Sequence, residues 1–432
     1  QPNHAEANHQ LGVLLAQQSK LDDALMQLEW AVQQAPQQEQ YWVSYIDALM
    51  LLGEYAQADS AIGLGEEFGL TAETAQMLRV ELAPQLEAQP QASIKTKAHS
   101  DKPVATICTL IPAYKPNYIE QLLLSLATQT YPHFKVVISD DNPNDEVTAL
   151  VQRLAQLDIY KKLDISVVPG PKKGGFVNIY HVARSYAQEA EFFHILMDDD
   201  LIYPTFYETH MREHAKQEAL ISVSARWNAL ETGQPFGMLI DHATSQVFSQ
   251  HFDAATMANA LIPGCSNKLG EFSHAVFRRE AAEVILNPSM QGISYFGLDD
   301  IGSFIQAAQH KPAIWIPTPL GIFRNNPEQN TGKLNNNTIK CGHYAWIALA
   351  IIAVENRWIS ADEAWASISM MRNAVRVRYQ QDALGQQMLA VLDAHEVYSE
   401  ALKQSFLAVW NTYLTQLNIE KIVAGDLSIQ IL

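Results

Sequence analysis

A chain of 432 residues has room for two or three domains, each with its own core. Apolar residues make up 48% and charged residues 18%, the balance of a globular protein, and a formal net charge of -18 argues against a partner gripped through a nucleic-acid backbone. Three scattered cysteines, Cys108, Cys265 and Cys341, exclude a disulfide framework or a structural zinc site and suit a reducing, cytoplasmic compartment.

Residues 1–92 repeat themselves. Pro2 and Pro36 are 34 residues apart, as are Ala24 and Ala58, and "SKLDDALMQLEWAV" aligns with "GEYAQADSAIGLGE" at that offset. Each unit reads as two amphipathic helices with small residues where they cross, and "TAETAQMLRVELAPQL" reads as a third, capping unit. The pattern resembles the tetratricopeptide repeat (TPR), which implies an all-α array able to hold a peptide or protein. A plain helical cap or a homodimer surface is the alternative. With 13 Asp and Glu against 2 Lys and Arg in this region, a strongly acidic recruited segment is disfavoured. Gln1 lies inside the repeat, so it reads as a boundary behind which a native N-terminus lies hidden. Residues 93–103, without periodicity and rich in polar residues, read as a linker.

From 104 to 335, buried strands alternate with amphipathic helices. "VATICTLIPAY" is a strand ending near Pro112, and "NYIEQLLLSLATQ" is a helix with Ile119, Leu122, Leu123 and Leu126 on one face. "KVVISDDN", "DISVVPG" and "EFFHILM" are further strands, separated by helices over "DEVTALVQRLAQL" and Val177 to Ala190. This order implies an α/β domain with a mostly parallel, Rossmann-like sheet, whose ligands bind beyond the carboxyl ends of the strands. Residues 336–432 read as helical, with a capping box from Ser360 to Glu363. The apolar run from Ala345 is shorter than the roughly 20 residues of a membrane span and reads as a core helix, so no membrane span is expected. Trp346, Trp358, Trp365 and Trp410 suit a core before an acceptor groove.

Acids gather at the strand ends: Asp140 and Asp141 after one strand, Asp198, Asp199 and Asp200 after another, then Asp299 and Asp300 before a helix. Three adjacent carboxylates repel one another and call for a cation. Oxygen ligands in an Asp-x-Asp pattern suit Mg2+ or Mn2+, which bridge carboxylates to substrate phosphates. His194 and His274 are expected to pack rather than bind metal.

The stretch "TLIPAYKPNYIEQLLLSLATQTYPHFKVVISDDNPND", the Asp-x-Asp of "LMDDD" and the later "GLDD" resemble family 2 of the GT-A glycosyltransferases, over roughly Val104 to Thr331. The resemblance implies transfer of a sugar from a nucleotide diphosphate donor, UDP favoured, with inversion at the anomeric carbon. It places Pro112 and Tyr114 against the nucleobase, Asp141 as acceptor of a hydrogen bond from the base with Asp140 beside it, and Asp198 and Asp200 on the metal with Asp199 between them. Asp300 would be the general base, supported by Asp299. A loop after the base would close on the diphosphate through Arg324, Thr331 and Lys333, with Asn326 where histidine often stands. Lys172 and Lys173 beside two glycines are a further phosphate candidate, an exposed turn being the bland reading, and Asn178 is a possible match to a family asparagine.

The helical array points to a protein acceptor, such as a bacterial surface or flagellar protein, with glycan or lipid-linked acceptors as the alternative. Two rival functions are a haloacid dehalogenase-type phosphohydrolase using Asp198 as nucleophile, and an inactive TPR binding module.

Overall fold

A computed structural model describes residues 5–18, 20–53, 55–88, 106–238, 251–326, 337–426 and 428. The expected linker, 93–103, lies outside the described residues. The chain divides into two compact units, 1–103 and 104–432.

The first unit is all helical: α1 (Ala5–Gln17), α2 (Leu21–Gln34), α3 (Glu39–Leu52), α4 (Tyr55–Phe68) and α5 (Ala72–Ala88). Adding 34 to both ends of α2 gives the two ends of α4, so the sequence period is a structural period. Ala24 and Ala58 are both fully buried, as small residues at a helix crossing should be. Gly12 serves the same purpose, because a Cβ there would lie 2.6 Å from Leu28 Cγ. Gly53 closes α3 at a φ of 80°, a left-handed turn that glycine adopts without steric cost. The segment after Leu70 forms the single helix α5.

The second unit is built on one large sheet. Its strands are β1 (Ile107–Ala113), β2 (Phe134–Asp140), β3 (Ile165–Pro169), β4 (Phe192–Ile195), β5 (Leu201–Ile202), β6 (Ile221–Ala229), β7 (Pro235–Met238), β8 (His251–Phe252), β9 (Ala275–Arg278) and β12 (Ala313–Arg324). A separate hairpin-like pair is β10 (Ser289–Met290) with β11 (Ile293–Ser294). The order is β3-β2-β1-β4-β9-β6-β12-β5, with β7 on β6 and β8 on β12. Strands β3, β2, β1 and β4 run parallel, as do β6 and β12, while β9 enters antiparallel between β4 and β6.

All seven residues of β1 are buried, which requires cover on both faces. Successive side chains supply two cores: Cys108 and Leu110 belong to one, Ile107 and Ile111 to the other. The second core takes α6 (Ile119–Ala127), α7 (Glu146–Leu154) and α9 (Phe206–Lys216). The first core takes α8 (Gly175–Tyr186), α10 (Ala254–Leu261), α11 (Ala282–Leu286) and α12 (Asp299–His310). It also takes the C-terminal helices α13 (Asn337–Glu355), α14 (Ala361–Tyr379), α15 (Ala383–Asp393), α16 (Glu400–Gln416) and α17 (Ile419–Ala424), so these helices share a core with the α/β part.

Every residue of the apolar run from Ala345 to Ala353 is buried in α13, and no helix among the described residues is long and apolar enough to cross a membrane. The capping box starts α14: Ser360 Oγ accepts from the Glu363 amide at 3.2 Å, and Glu363 accepts from the Ser360 amide at 2.7 Å. Trp410 is fully buried, donating to Ser294 O at 2.9 Å, and Trp346 is buried in the same core.

Candidate active site

Parallel pairing of β1 with β4 sends both strands out of the sheet at the same edge. Leu196 N continues the ladder to Leu110 O at 2.9 Å, and the chain then turns through Asp198–Asp200, with Asp200 N on Met197 O. Tyr114 and Lys115 leave β1 beside this turn. Their amides both donate to Asp198 Oδ2 at 2.7 Å. The Lys115 ammonium lies 2.6 Å from Asp199 Oδ2 and 3.9 Å from Asp198 Oδ1. Asn326 Nδ2 donates to the same Asp199 oxygen at 2.7 Å. The cation demanded by three adjacent acids is therefore present within the chain. Burial opposes the charge of Lys115, yet Asp198 and Asp199 outweigh burial and raise its pKa.

Asp198 is raised above its ordinary pKa by burial and by Asp199, against the pull of Lys115 and the two amides. Asp200 is raised further, well above the carboxylate range, by burial and then by Asp199. The Arg324 amide donates to its Oδ1 at 3.0 Å, while Oδ2 is buried without a hydrogen-bond partner. The Ser273 hydroxyl opposes the shift without closing a hydrogen bond to that oxygen. A buried orphan oxygen is the feature a cation would satisfy.

The facing wall comes from the start of α12. Gly297 stands at a φ of 101°, and a Cβ there would come within 2.6 Å of Gly342 N, so only glycine fits this turn. Its amide donates to Asp299 Oδ2 at 2.8 Å, and the Tyr180 hydroxyl donates to Asp299 Oδ1. Both oxygens of Asp299 are thus engaged, and burial still lifts its pKa to about 6. Asp300 is half-buried. The Ile301 amide donates to its Oδ1 at 2.8 Å and Asn267 reaches Oδ2 at 3.4 Å. Burial, followed by the charge of Glu271, pushes its pKa up to about 7. Glu271 is held by Arg226 in a two-point ion pair with both contacts at 2.6 Å.

These pieces line one cavity of about 830 Å3. Of the sequence-predicted residues, it brings together Pro112, Tyr114, Asp198, Asp199, Asp200, Asp299 and Asp300. It does not include Asp140, Asp141, Lys173 or Arg324. Asp140 instead caps the turn into α7, accepting from the Asn142 amide at 2.9 Å and from the Thr148 amide and hydroxyl at 2.9 and 2.5 Å. Asp141 accepts the amides of Lys172 and Gly174 and so pins the turn ahead of α8. Lys173 adds its amide to the surroundings of Asp141. Asn178 exchanges hydrogen bonds with Ser139 and ties α8 to β2.

Arg324 is the largest departure from expectation. It is fully buried, not set in a loop over phosphate. Nε donates to Asp199 O at 2.7 Å, Nη2 to Gln121 at 2.7 Å and Nη1 to Glu231 O, with the guanidinium 4.9 Å from the Tyr118 ring. The expected loop partners Thr331 and Lys333 lie outside the described residues. His194 and His274 are fully buried, and burial lowers both pKa values, as packing residues require.

Lys115, Glu271 and Asn267 were not anticipated. Lys115 had a signal: it is the one cation inside the strand-end turn that the sequence singles out.

Residues 108–286 match the sequence model of the glycosyl transferase family 2. This segment, under half of the chain, is similar to a family 2 glycosyltransferase domain. The matched segment spans β1 to α11, so it includes the Asp198–Asp200 turn and ends before Asp299. No curated protein sequence matches the chain. Among solved structures, residues 1–349 of S. aureus TarS in complex with UDP-GlcNAc are 12% identical, with 72% of this chain and 92% of that chain covered at a TM-score of 0.40. A mannosyltransferase from Pyrobaculum calidifontis in complex with GDP-Man and Mn2+ is 14% identical, with 74% and 85% covered at 0.43. Glucosyl-3-phosphoglycerate synthase from Mycobacterium tuberculosis, with Mn2+ and UDP, is 13% identical, with 60% and 82% covered at 0.33. Likeness this remote assigns no donor, metal or acceptor to this chain.

The donor set of the cavity fits a divalent cation at one position. Asp200 offers its orphan Oδ2, whereas Asp198 has Oδ2 filled by two amides and Oδ1 facing Lys115. Among the described residues no three His, Cys, Asp or Glu are arranged as a ready metal cage. Mg2+ or Mn2+ needs none, since one or two carboxylates complete its shell with phosphates and water. The phosphohydrolase alternative gains no support here, because two amides occupy Oδ2 of Asp198, the nucleophile it would require.

Proposed function

We propose that the protein is an inverting glycosyltransferase that takes a sugar from a nucleotide diphosphate donor, UDP favoured, with help from Mn2+ or Mg2+. The observation that carries this reading is Asp300. It shares one cavity with the Asp198–Asp200 turn, and its surroundings push its pKa up to about 7. A carboxylate with that pKa is a stronger base than an ordinary aspartate and is about half ionised at neutrality. Asp300 accepts the proton of the acceptor group as that group attacks the anomeric carbon. The leaving diphosphate departs from the opposite face, which inverts the centre. Asp299, with both oxygens engaged, acts as a positioning residue for the first turn of α12. Asn267 holds the orientation of Asp300.

Asp200 would hold the metal, which when bound supplies positive charge to the departing diphosphate. Pro112 and Tyr114 form the donor side of the cavity, and half of Tyr114 is exposed at its mouth. Water is kept from the inner wall by Met197, Phe272 and Phe323.

The five-helix unit resembles a TPR array, and we assign it the role of recruiting a protein acceptor. Its 34-residue period and buried alanines support that reading. The test is release of nucleoside diphosphate from a panel of nucleotide sugars, with Asp300→Asn as control. Turnover of one donor that vanishes in the variant supports the proposal, and no turnover of any donor by the native chain refutes it. The acceptor assignment fails if removing residues 1–92 leaves transfer to every protein acceptor unchanged.

A further inference from the structure

We infer that Lys115 is the built-in cation of the donor site: its ammonium bridges Asp198 and Asp199 and turns to the diphosphate of a nucleotide when one binds. The inference rests on the glycosyltransferase reading above. Six acids face the cavity: Asp198, Asp199, Asp200, Glu271, Asp299 and Asp300. Among the described residues, Lys115 is the only lysine or arginine on its wall. A diphosphate entering so acidic a space is repelled unless positive charge meets it. The cations expected for that task are placed elsewhere, with Arg324 buried among backbone carbonyls and Lys173 off the cavity.

The geometry allows Lys115 to change partners at little cost. Its backbone is anchored, because its own amide and that of Tyr114 are both held by Asp198 at 2.7 Å. The stem carries four rotatable bonds beyond that anchor, so the ammonium can be re-aimed within the cavity it lines, and a lysine ammonium contacts phosphate as a point charge without needing a fixed fork. Neither acid is left bare when it leaves. Asp199 Oδ2 keeps the Asn326 amide at 2.7 Å, and Asp198 Oδ2 keeps its two backbone donors. Lys115 is thus both the counterion of the turn and a ligand for the diphosphate. As a binding residue, it acts on the diphosphate and leaves recognition of the nucleoside to other groups.

The test is calorimetric titration of the full chain with UDP, GDP, uridine and guanosine, comparing native protein with Lys115→Met and Lys115→Arg. For the diphosphate that the native chain binds, the methionine variant loses affinity about tenfold or more, because a charge-assisted contact is removed. Affinity for the matching nucleoside stays within about twofold, and the arginine variant recovers most of the loss. Lys115→Gln, which keeps a donor to Asp199 without the charge, gives the same comparison if the methionine variant does not fold. Equal loss of nucleoside and diphosphate, or no loss of diphosphate, overturns the inference and leaves Lys115 a structural counterion. If the native chain binds neither diphosphate, the glycosyltransferase reading itself falls.

Discussion

Replacing Arg324 with lysine separates a buried strut from a phosphate contact. The guanidinium serves three acceptors at once, Asp199 O, Glu231 O and Gln121 Oε1, and stands over the Tyr118 ring. A lysine ammonium keeps one of these and leaves the others without a donor in a fully buried setting. Each unsatisfied buried acceptor costs about 1–3 kcal/mol, so two give about 3 kcal/mol after partial relaxation. At about 2.1 cal/mol/K per residue, the unit spanning residues 104–432 unfolds with an entropy of about 0.7 kcal/mol/K, and the expected fall in Tm is about 4 °C. The assay is a thermal melt paired with titration of the bound nucleoside diphosphate. An unchanged Tm together with a tenfold loss of nucleotide affinity would refute the reasoning and return Arg324 to the phosphate.

Asp300→Asn leaves nucleotide binding intact and lowers transfer at least a hundredfold, the usual contribution of a positioned base. In the native enzyme the rate rises with pH through about 7, since the ionised form of Asp300 is the active one, and a flat profile between pH 6 and 8 would contradict that role. Asp200→Asn abolishes the part of nucleotide binding that depends on Mn2+. The same change raises the metal-free Tm at pH 7: a carboxyl whose folded pKa is raised loses stability as pH climbs from its unfolded value towards the folded one, and the amide has no such loss. A lower metal-free Tm would show that the ionised carboxylate is structurally required. Gly297→Ala costs about 2–3 kcal/mol, from a left-handed φ and a Cβ forced against the Gly342 backbone, and melts the start of α12. Full stability in that variant would mean the turn adopts another conformation.

Much of the fold was legible because the signals were local. Strands β1 and β4 are largely apolar and buried along their whole length, the mark of strands covered on both faces, and the helices between the strands show one-sided spacing. The 34-residue period fixed both ends of α4 from those of α2. Strands β5, β8, β10 and β11 have two residues each, too few to show any period, and the prolines within β12 disguise the longest strand of the sheet. In the site, the acids were found because they cluster in the chain. Their partners were not, since Lys115 meets Asp199 across 84 residues and Arg226 meets Glu271 across 45. Asp140 lies off the cavity for a local reason: Thr148, eight residues on, donates to it from both its amide and its hydroxyl at the start of α7. Arg324 lies in a polar loop by sequence, and only its pairing through β12 reveals that it faces inward.

The most direct test of the account is the melting temperature of the full chain against a panel of nucleoside diphosphates, with and without Mn2+. A ligand bound only by the folded state, at a hundred times its Kd, adds about 2.7 kcal/mol of stability. The account predicts that one nucleoside diphosphate raises the Tm, and that Mn2+ enlarges the rise in the native chain but not in Asp200→Asn. No rise with any nucleoside diphosphate, with or without Mn2+, would contradict it.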